Sequence, residues 1–417
     1  MNIAMKNAKQ KKRRTPQQML LAGVMLFFFT AFLLLFVQSP SLLTAAMALL
    51  VPLAVWAMVR ILPRLFPMDE FLLTLIAFLC ALGVLLQYRY TPSRGLTQAF
   101  NCGAGLVAMV VCALAVRHIK SWRLLMVPLM GLSCALMALP FVFRATNAGK
   151  GATAWVGFGG FTVQPSELVK IVYLFVLSYL LSRRRIVTGM IFIGLMLGFL
   201  VLQRDLGTAA IYGGAGLVLL YAATSSLLLI GGILGAGVGA VAVLYALFKN
   251  SYFLTVQNRI SNWLDPFSTY DQLGGGYQIV QSLIAIANGG WWGTGLGLGN
   301  ASVIPEFRTD FIFSALINEF GLVFAALVAC VYVLIVLRSA DIALRSTSAF
   351  HALLAAGSAA LLAVQAFIIL GGVLKFIPMT GVTVPFLSYG GSSLVMLLAE
   401  MGVVLSVSRN SRINKKV

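Results

Sequence analysis

Acidic residues are scarce in this chain and unevenly placed. Of eleven in 417 residues, Asp265, Asp271, Glu306 and Asp310 share one polar stretch at roughly 249–310, together with Trp263, Trp291, Trp292 and many glycines. A carboxylate beside flexible, glycine-rich backbone can approach a sugar hydroxyl and take its proton as a general base. Asp271, which precedes Gly274-Gly275-Gly276-Tyr277, has no other local role beyond those glycines, and spacing alone does not decide the matter. Asp265 opens an Asp-Pro pair, a common turn starter, and reads as structural.

Four further blocks carry polar chemistry in otherwise apolar surroundings. Gln164-Pro165-Ser166-Glu167 opens a helix on which Glu167 and Lys170 fall three residues apart, on one face. That pair is either a structural ion pair or part of a site. In Gln203-Arg204-Asp205-Leu206-Gly207, Asp205 can cap the next helix while Arg204 faces a phosphate. In Pro305-Glu306-Phe307-Arg308-Thr309-Asp310, Thr309 or Asp310 can cap the following helix and Arg308 is a candidate phosphate ligand. From Lys375 to Ser393, two prolines and a Gly-Gly pair predict a broken helix. At membrane depth, non-helical backbone is tolerated only where protein or a wet cavity surrounds it. Ser388, Tyr389, Ser392 and Ser393 then line a polar cavity; a kink for packing is the alternative.

The elements that must position these residues follow from composition. The chain is 60% hydrophobic and 10% charged, which excludes an ordinary soluble protein and predicts an all-α polytopic membrane protein. About twelve apolar runs can span, at roughly 19–37, 41–62, 70–88, 98–116, 123–143, 164–182, 186–203, 206–224, 226–248, 310–338, 350–376 and 385–408. With the N-terminus inside, inner segments hold twenty Lys and Arg against nine outside, which predicts cytoplasmic termini and an extracytoplasmic loop at about 249–309. All five blocks then face outward. The net charge of +19 reads as cytoplasmic loops and contacts with anionic membrane lipids, not as nucleic-acid binding. The first apolar run follows six basic residues and lacks a small-residue cleavage site, so it is expected to be a retained span and not a signal peptide. The five cysteines form no Cys-x-x-Cys pair and read as small buried hydrophobes, and two distant histidines make no metal site.

Taken together, the blocks resemble the SEDS family (shape, elongation, division and sporulation; RodA, FtsW and SpoVE type). The likeness is carried by Trp155, Gln164-Pro165-Ser166-Glu167 with Lys170, Asp205-Leu206-Gly207-Thr208, Asp271 with Gly274, Gly276 and Tyr277, Thr309-Asp310-Phe311, and Pro385-Phe386 with Ser388-Tyr389-Gly390-Gly391-Ser392-Ser393. It covers about residues 69–410. Departures are Ala154, Arg204, Gln272 and Phe307-Arg308, at positions where the family commonly carries other residues.

The resemblance implies a ten-span core at 69–410, preceded by a basic cytoplasmic segment at 1–18 and two extra helices at 19–68, and followed by a basic tail at 411–417. It implies a peptidoglycan glycosyltransferase of the bacterial plasma membrane that polymerises lipid II by inverting transfer, with undecaprenyl pyrophosphate leaving. Its implied partner is a class B penicillin-binding protein. Asp271 matches the family's essential aspartate. Glu167, Lys170, Arg204, Asp205, Arg259, Arg308, Asp310, Lys375, Ser388, Tyr389 and Ser392 are the expected substrate-binding groups. No cofactor is established; a divalent cation at the pyrophosphate is compatible with the sequence. A flippase of the same lipid and a non-catalytic scaffold for a penicillin-binding protein are the competing readings.

Overall fold

The computed structural model describes residues 15–119, 121–143, 154–158, 161–248, 254–270 and 275–413. Nearly every apolar run forms a helix, because a helix satisfies its backbone hydrogen bonds within the segment where a bilayer offers no water. The helices are α1 (Pro16–Gln38), α2 (Leu42–Arg60), the single turn α3 (Leu62–Leu65), α4 (Glu70–Tyr90), α5 (Pro92–His118) and α6 (Trp122–Val142). They continue with α7 (Pro165–Ser182), α8 (Ile186–Leu202), α9 (Leu206–Thr224), α10 (Leu227–Phe248), α11 (Leu254–Leu264), α12 (Gly275–Gly289), α13 (Ile312–Leu344), α14 (Ala349–Val373) and α15 (Gly391–Ile413). Among the described residues ten helices are long and apolar enough to cross a membrane, and Ile186–Leu202 and Leu227–Ala240 are shorter apolar helices at two further predicted positions. The protein is an all-α, multi-pass membrane protein.

Two features depart from the sequence expectation. The stretch at 249–309 is not plain loop, since it contains α11 and α12. A small antiparallel hairpin, β1 (Val156–Phe158) with β2 (Phe161–Val163), precedes α7, with Val156 paired to Val163 and Phe158 to Phe161.

Local signals set the helix starts. Pro165 occupies the first turn of α7, and Asp69 and Asp205 cap α4 and α9 by accepting from the amides of Leu72 (2.9 Å) and Thr208 (3.0 Å). Neither Thr309 nor Asp310 caps α13; its N-cap is Phe311, with no side-chain bond. α4 is buried along most of its length, whereas α5 and α6 present broad apolar faces outward. α4 runs against the broken segment before α15 at Gly83, where a Cβ would strike the Phe386 carbonyl.

α13 is itself broken at Gly321, whose backbone is left-handed (φ 81°, ψ 171°). The glycine-rich loop at 290–295 repairs the break. Leu322 and Val323 donate to the carbonyls of Gly290 (2.9 Å) and Trp291 (3.2 Å), while Thr294 and Gly295 donate to those of Asn318 (2.9 Å) and Glu319 (3.0 Å). A helix break is sustained when freed backbone groups find such partners.

Candidate active site

Four of the five blocks converge on one cavity of about 540 Å³. Its wall takes Trp155, Gln164 and Glu167 from the hairpin and the start of α7, and Arg204, Asp205 and Thr208 from the α8–α9 turn. Arg259 comes from α11, Glu306, Thr309 and Asp310 from the segment before α13, Thr380 to Thr383 with Tyr389 and Gly390 from the broken segment before α15, and Gly391 to Ser393 from the first turn of α15. A smaller cavity of about 140 Å³ shares Arg259, Asp310 and Gly381 and continues between α11 and α12, where Asn262, Gln278 and Ile279 line it.

Hydrogen bonds fix each wall. Gln164 Nε2 donates to Asp205 Oδ2 at 2.8 Å, joining the α7 start to the α8–α9 turn. Behind Glu167, Lys170 Nζ lies 2.9 Å from Glu167 Oε2 and 3.3 Å from Gln365 Oε1, and Gln365 Nε2 donates to the Thr383 carbonyl at 3.0 Å. Arg259 Nη1 donates to the Thr380 carbonyl at 2.9 Å, and the Trp263 indole donates to the Lys375 carbonyl at 3.0 Å, so α11 is tied to the broken segment twice. From beneath, Gln87 and Gln98 donate to the carbonyls of Arg308 (2.9 Å) and Ser388 (3.1 Å). Buried backbone of this irregular kind needs such donors and acceptors.

Backbone strain concentrates here. Six non-glycine residues among those described are left-handed: Arg184, Arg204, Ser225, Glu306, Lys375 and Phe386. Arg204 and Glu306 line the cavity, and Lys375 and Phe386 lie on the broken segment. Left-handed non-glycine residues persist only where the surroundings over-determine them, and they cluster at functional sites.

Burial raises the pKa of two acids on the cavity wall. Burial, reinforced by the nearby Glu306, raises Asp310 to about 6, against the opposing pull of the Arg259 guanidinium and a hydrogen bond from Thr309. Burial likewise raises Asp205, against the hydrogen bonds from Thr208. Both shifts report a poorly solvated wall.

Of the site residues expected from sequence, Glu167, Arg204, Asp205, Arg259, Asp310, Tyr389 and Ser392 line the cavity. Four do not. Lys170 lies behind Glu167, holding it. Arg308 turns away to donate to Thr91 Oγ1 at 2.9 Å and to stack on Phe307 at 4.5 Å; burial and the neighbouring Arg94 lower its pKa. Lys375 contributes its carbonyl to Trp263. Ser388 Oγ donates to the Thr309 carbonyl (2.6 Å) and accepts from the Val384 amide (2.7 Å), so it locks a turn. Asp271 lies outside the described residues. Gln164, Glu306 and Thr380 also line the cavity although they stand outside the expected binding set, and the supporting amides Gln87, Gln98 and Gln365 were missed from sequence. Glutamines inside apolar spans were the available signal for the last three.

Comparison with known proteins agrees with this architecture. The family described as cell cycle protein, comprising FtsW, RodA and SpoVE, matches residues 62–413. The probable peptidoglycan glycosyltransferase FtsW of Geobacter metallireducens is 35% identical, over 77% of this chain and 85% of that protein. The peptidoglycan glycosyltransferase RodA of Mycobacterium tuberculosis is 33% identical, over 82% of this chain and 78% of that protein. Among solved structures, one described as showing structural coordination of polymerization and crosslinking by a peptidoglycan synthase complex superposes with a TM-score of 0.68 at 28% identity, covering 83% of this chain and 99% of that one. Thermus thermophilus RodA gives 0.59 at 27% identity, covering 84% and 99%. A chain with this cavity, this broken helix and these relatives belongs to the FtsW/RodA/SpoVE family, the SEDS proteins.

Proposed function

We propose that the protein is a peptidoglycan glycosyltransferase that polymerises lipid II at the cavity bounded by α7, α9, α11 and the segment before α15. The observation that carries this reading is the convergence of Glu167, Arg204, Asp205, Arg259, Asp310 and Tyr389 on one cavity in a membrane-spanning fold. Such a site receives a substrate that is polar at one end and lipid at the other. Relatives named for the same activity at 33–35% identity support it.

In the proposed reaction Asp271 takes the proton from the 4-hydroxyl of the acceptor's GlcNAc. That oxygen forms the new bond to C1 of the donor's MurNAc, the C1–oxygen bond to the pyrophosphate breaks, and undecaprenyl pyrophosphate departs with the bonding electrons. The configuration at C1 inverts. Arg204 and Arg259, which face the cavity, offset the charge that develops on the pyrophosphate. Lys170 and Gln365 hold Glu167 in place.

Residues 69–410 form the catalytic core in the bacterial plasma membrane, with 1–18 and 411–417 as basic cytoplasmic ends, 19–68 as an added helix pair and the cavity facing the extracytoplasmic side. The crosslinking partner is a class B penicillin-binding protein. The solved relative described as coordinating polymerization with crosslinking supports such a partner.

The decisive experiment is glycan synthesis from lipid II by the purified chain, alone and with its transpeptidase partner, beside Asp271→Asn. Wild type is expected to form polymer, and the variant to lose about 10²–10⁴-fold, the usual contribution of a general base. Lipid crossing vesicles without polymer sinks the reading in favour of a flippase. Equal support of growth by wild type and Asp271→Asn sinks it in favour of a scaffold.

A further inference from the structure

The family match begins at residue 62, so α1 and α2 stand outside it. Their framework is nevertheless fixed to the core. Phe27 stacks on Phe324 with ring centroids 5.5 Å apart, and Thr44 Oγ1 lies 3.0 Å from the Tyr88 hydroxyl. The turn at Ser39-Pro40-Ser41 ends α1 at Gln38, and that side chain leaves the helix pair altogether. Gln38 Nε2 donates to the Leu296 carbonyl at 2.7 Å, 258 residues away.

The loop it meets is shaped to receive it. Gly297 is left-handed (φ 88°), and a Cβ there would fall on the Gln38 amide. From the other side Arg89 Nη2 donates to the carbonyls of Gly297 (2.7 Å) and Gly299 (3.1 Å). Arg89 Nε faces Glu319 Oε1 at 3.1 Å, and Glu319 Oε2 accepts from the Gly297 amide at 3.3 Å. The peptide units from 296 to 299 are therefore gripped between Gln38 and the Arg89–Glu319 ion pair. Directly beyond, the chain passes through the turn Ala301–Val303 and reaches Glu306 and Asp310 on the cavity wall.

We propose that α1 and α2 form a built-in brace for this glycine-rich loop, and that Gln38 is a positioning residue that sets the Glu306–Asp310 wall through Leu296–Gly299. A wall so placed determines how tightly the cavity holds the polar end of its lipid substrate, a consequence that rests on the polymerase reading above. The grip itself does not depend on that reading.

The test is Gln38→Ala in the full-length chain, with Val37→Ala, at a neighbouring exposed apolar position, as control. Amide hydrogen exchange is read on peptides covering 293–303 and 304–311, together with the melting temperature and the KM and kcat for glycan synthesis from lipid II. Losing one neutral hydrogen bond should speed exchange in both peptides about 2–10-fold in Gln38→Ala alone, with an unchanged melting temperature. KM should rise by a similar factor while kcat holds. Unchanged exchange in either peptide, or equal exchange in the Val37→Ala control, overturns the brace. A KM that stays fixed while exchange rises overturns its link to the site. Wild type that makes no polymer, while exchange still rises in Gln38→Ala, supports the brace and counts against the polymerase.

Discussion

Glu167 and Lys170 face each other one turn apart on α7, Oε2 to Nζ at 2.9 Å, with side chains only 9% and 4% exposed. Taking two charges out of water is costly, and each is tolerable only because the other is present. Lys170→Met should therefore lower stability by about 3–5 kcal/mol by leaving Glu167 uncompensated, whereas Glu167→Gln combined with Lys170→Met should recover most of the loss. Thermal melts of the single and double variants in the same detergent check this; a double variant as unstable as the single would show that the pair is not the source.

Asp310 gives the wall a pH dependence. Its folded pKa of about 6 exceeds the ordinary aspartate value of 3.8, because burial and Glu306 disfavour the anion. The stability held by the protonated form is thus fully present below about pH 4 and is lost as pH rises through 6. Asp310→Asn removes this dependence. Relative to the variant, wild type should lose a few degrees of melting temperature between pH 4 and 7. Parallel melting curves across that range would contradict the assignment.

Arg259 holds the Thr380 carbonyl and lies beside Asp310 on the cavity wall. Arg259→Ala should reduce glycan synthesis about 10²–10³-fold, in line with removing one preorganised electrostatic donor. Arg259→Lys keeps the charge but loses the planar fork. It should recover part of the rate, as read by polymer formed per unit time from lipid II. A variant with full activity would exclude Arg259 from the site.

Glu400 on α15 is 1% exposed, and its Oε1 has no hydrogen-bond partner. An unsatisfied buried polar group costs about 1–3 kcal/mol. Glu400→Leu should therefore raise stability by about that amount, seen as a higher melting temperature. A fall would mean that the carboxylate serves the Lys170 ammonium from below.

The spans could be read from sequence because a run of about twenty apolar residues has few alternatives in a bilayer. The blocks at Glu167, Asp205, Asp310 and Ser388–Ser393 were equally readable, since polar groups in apolar surroundings stand out. Interior detail was not. Arg308 and Ser388 carry the right chemistry for ligands, but Gln87, Gln98 and the Tyr389 amide fix the backbone around them and turn their side chains into internal bonds. Such side-chain direction depends on partners 79 residues away for Ser388 and 217 for Arg308. α11 was hidden by polarity, although Val256, Ile260, Trp263 and Leu264 already follow helical spacing along one face. The hairpin had a local signal, with Val156-Gly157-Phe158 and Phe161-Thr162-Val163 separated by two glycines.

The break in α13 has a consequence for the order in which the molecule can be completed. The carbonyls of Gly290 and Trp291 that receive the Leu322 and Val323 amides come earlier in the chain. A ribosome delivers that strand of loop before the second half of α13 exists. The halves of α13 thus need not join as one rod and then bend. The first half holds the loop through the Asn318 and Glu319 carbonyls and the loop holds the second half, so a chain lacking the loop would leave the Leu322 and Val323 amides without these partners.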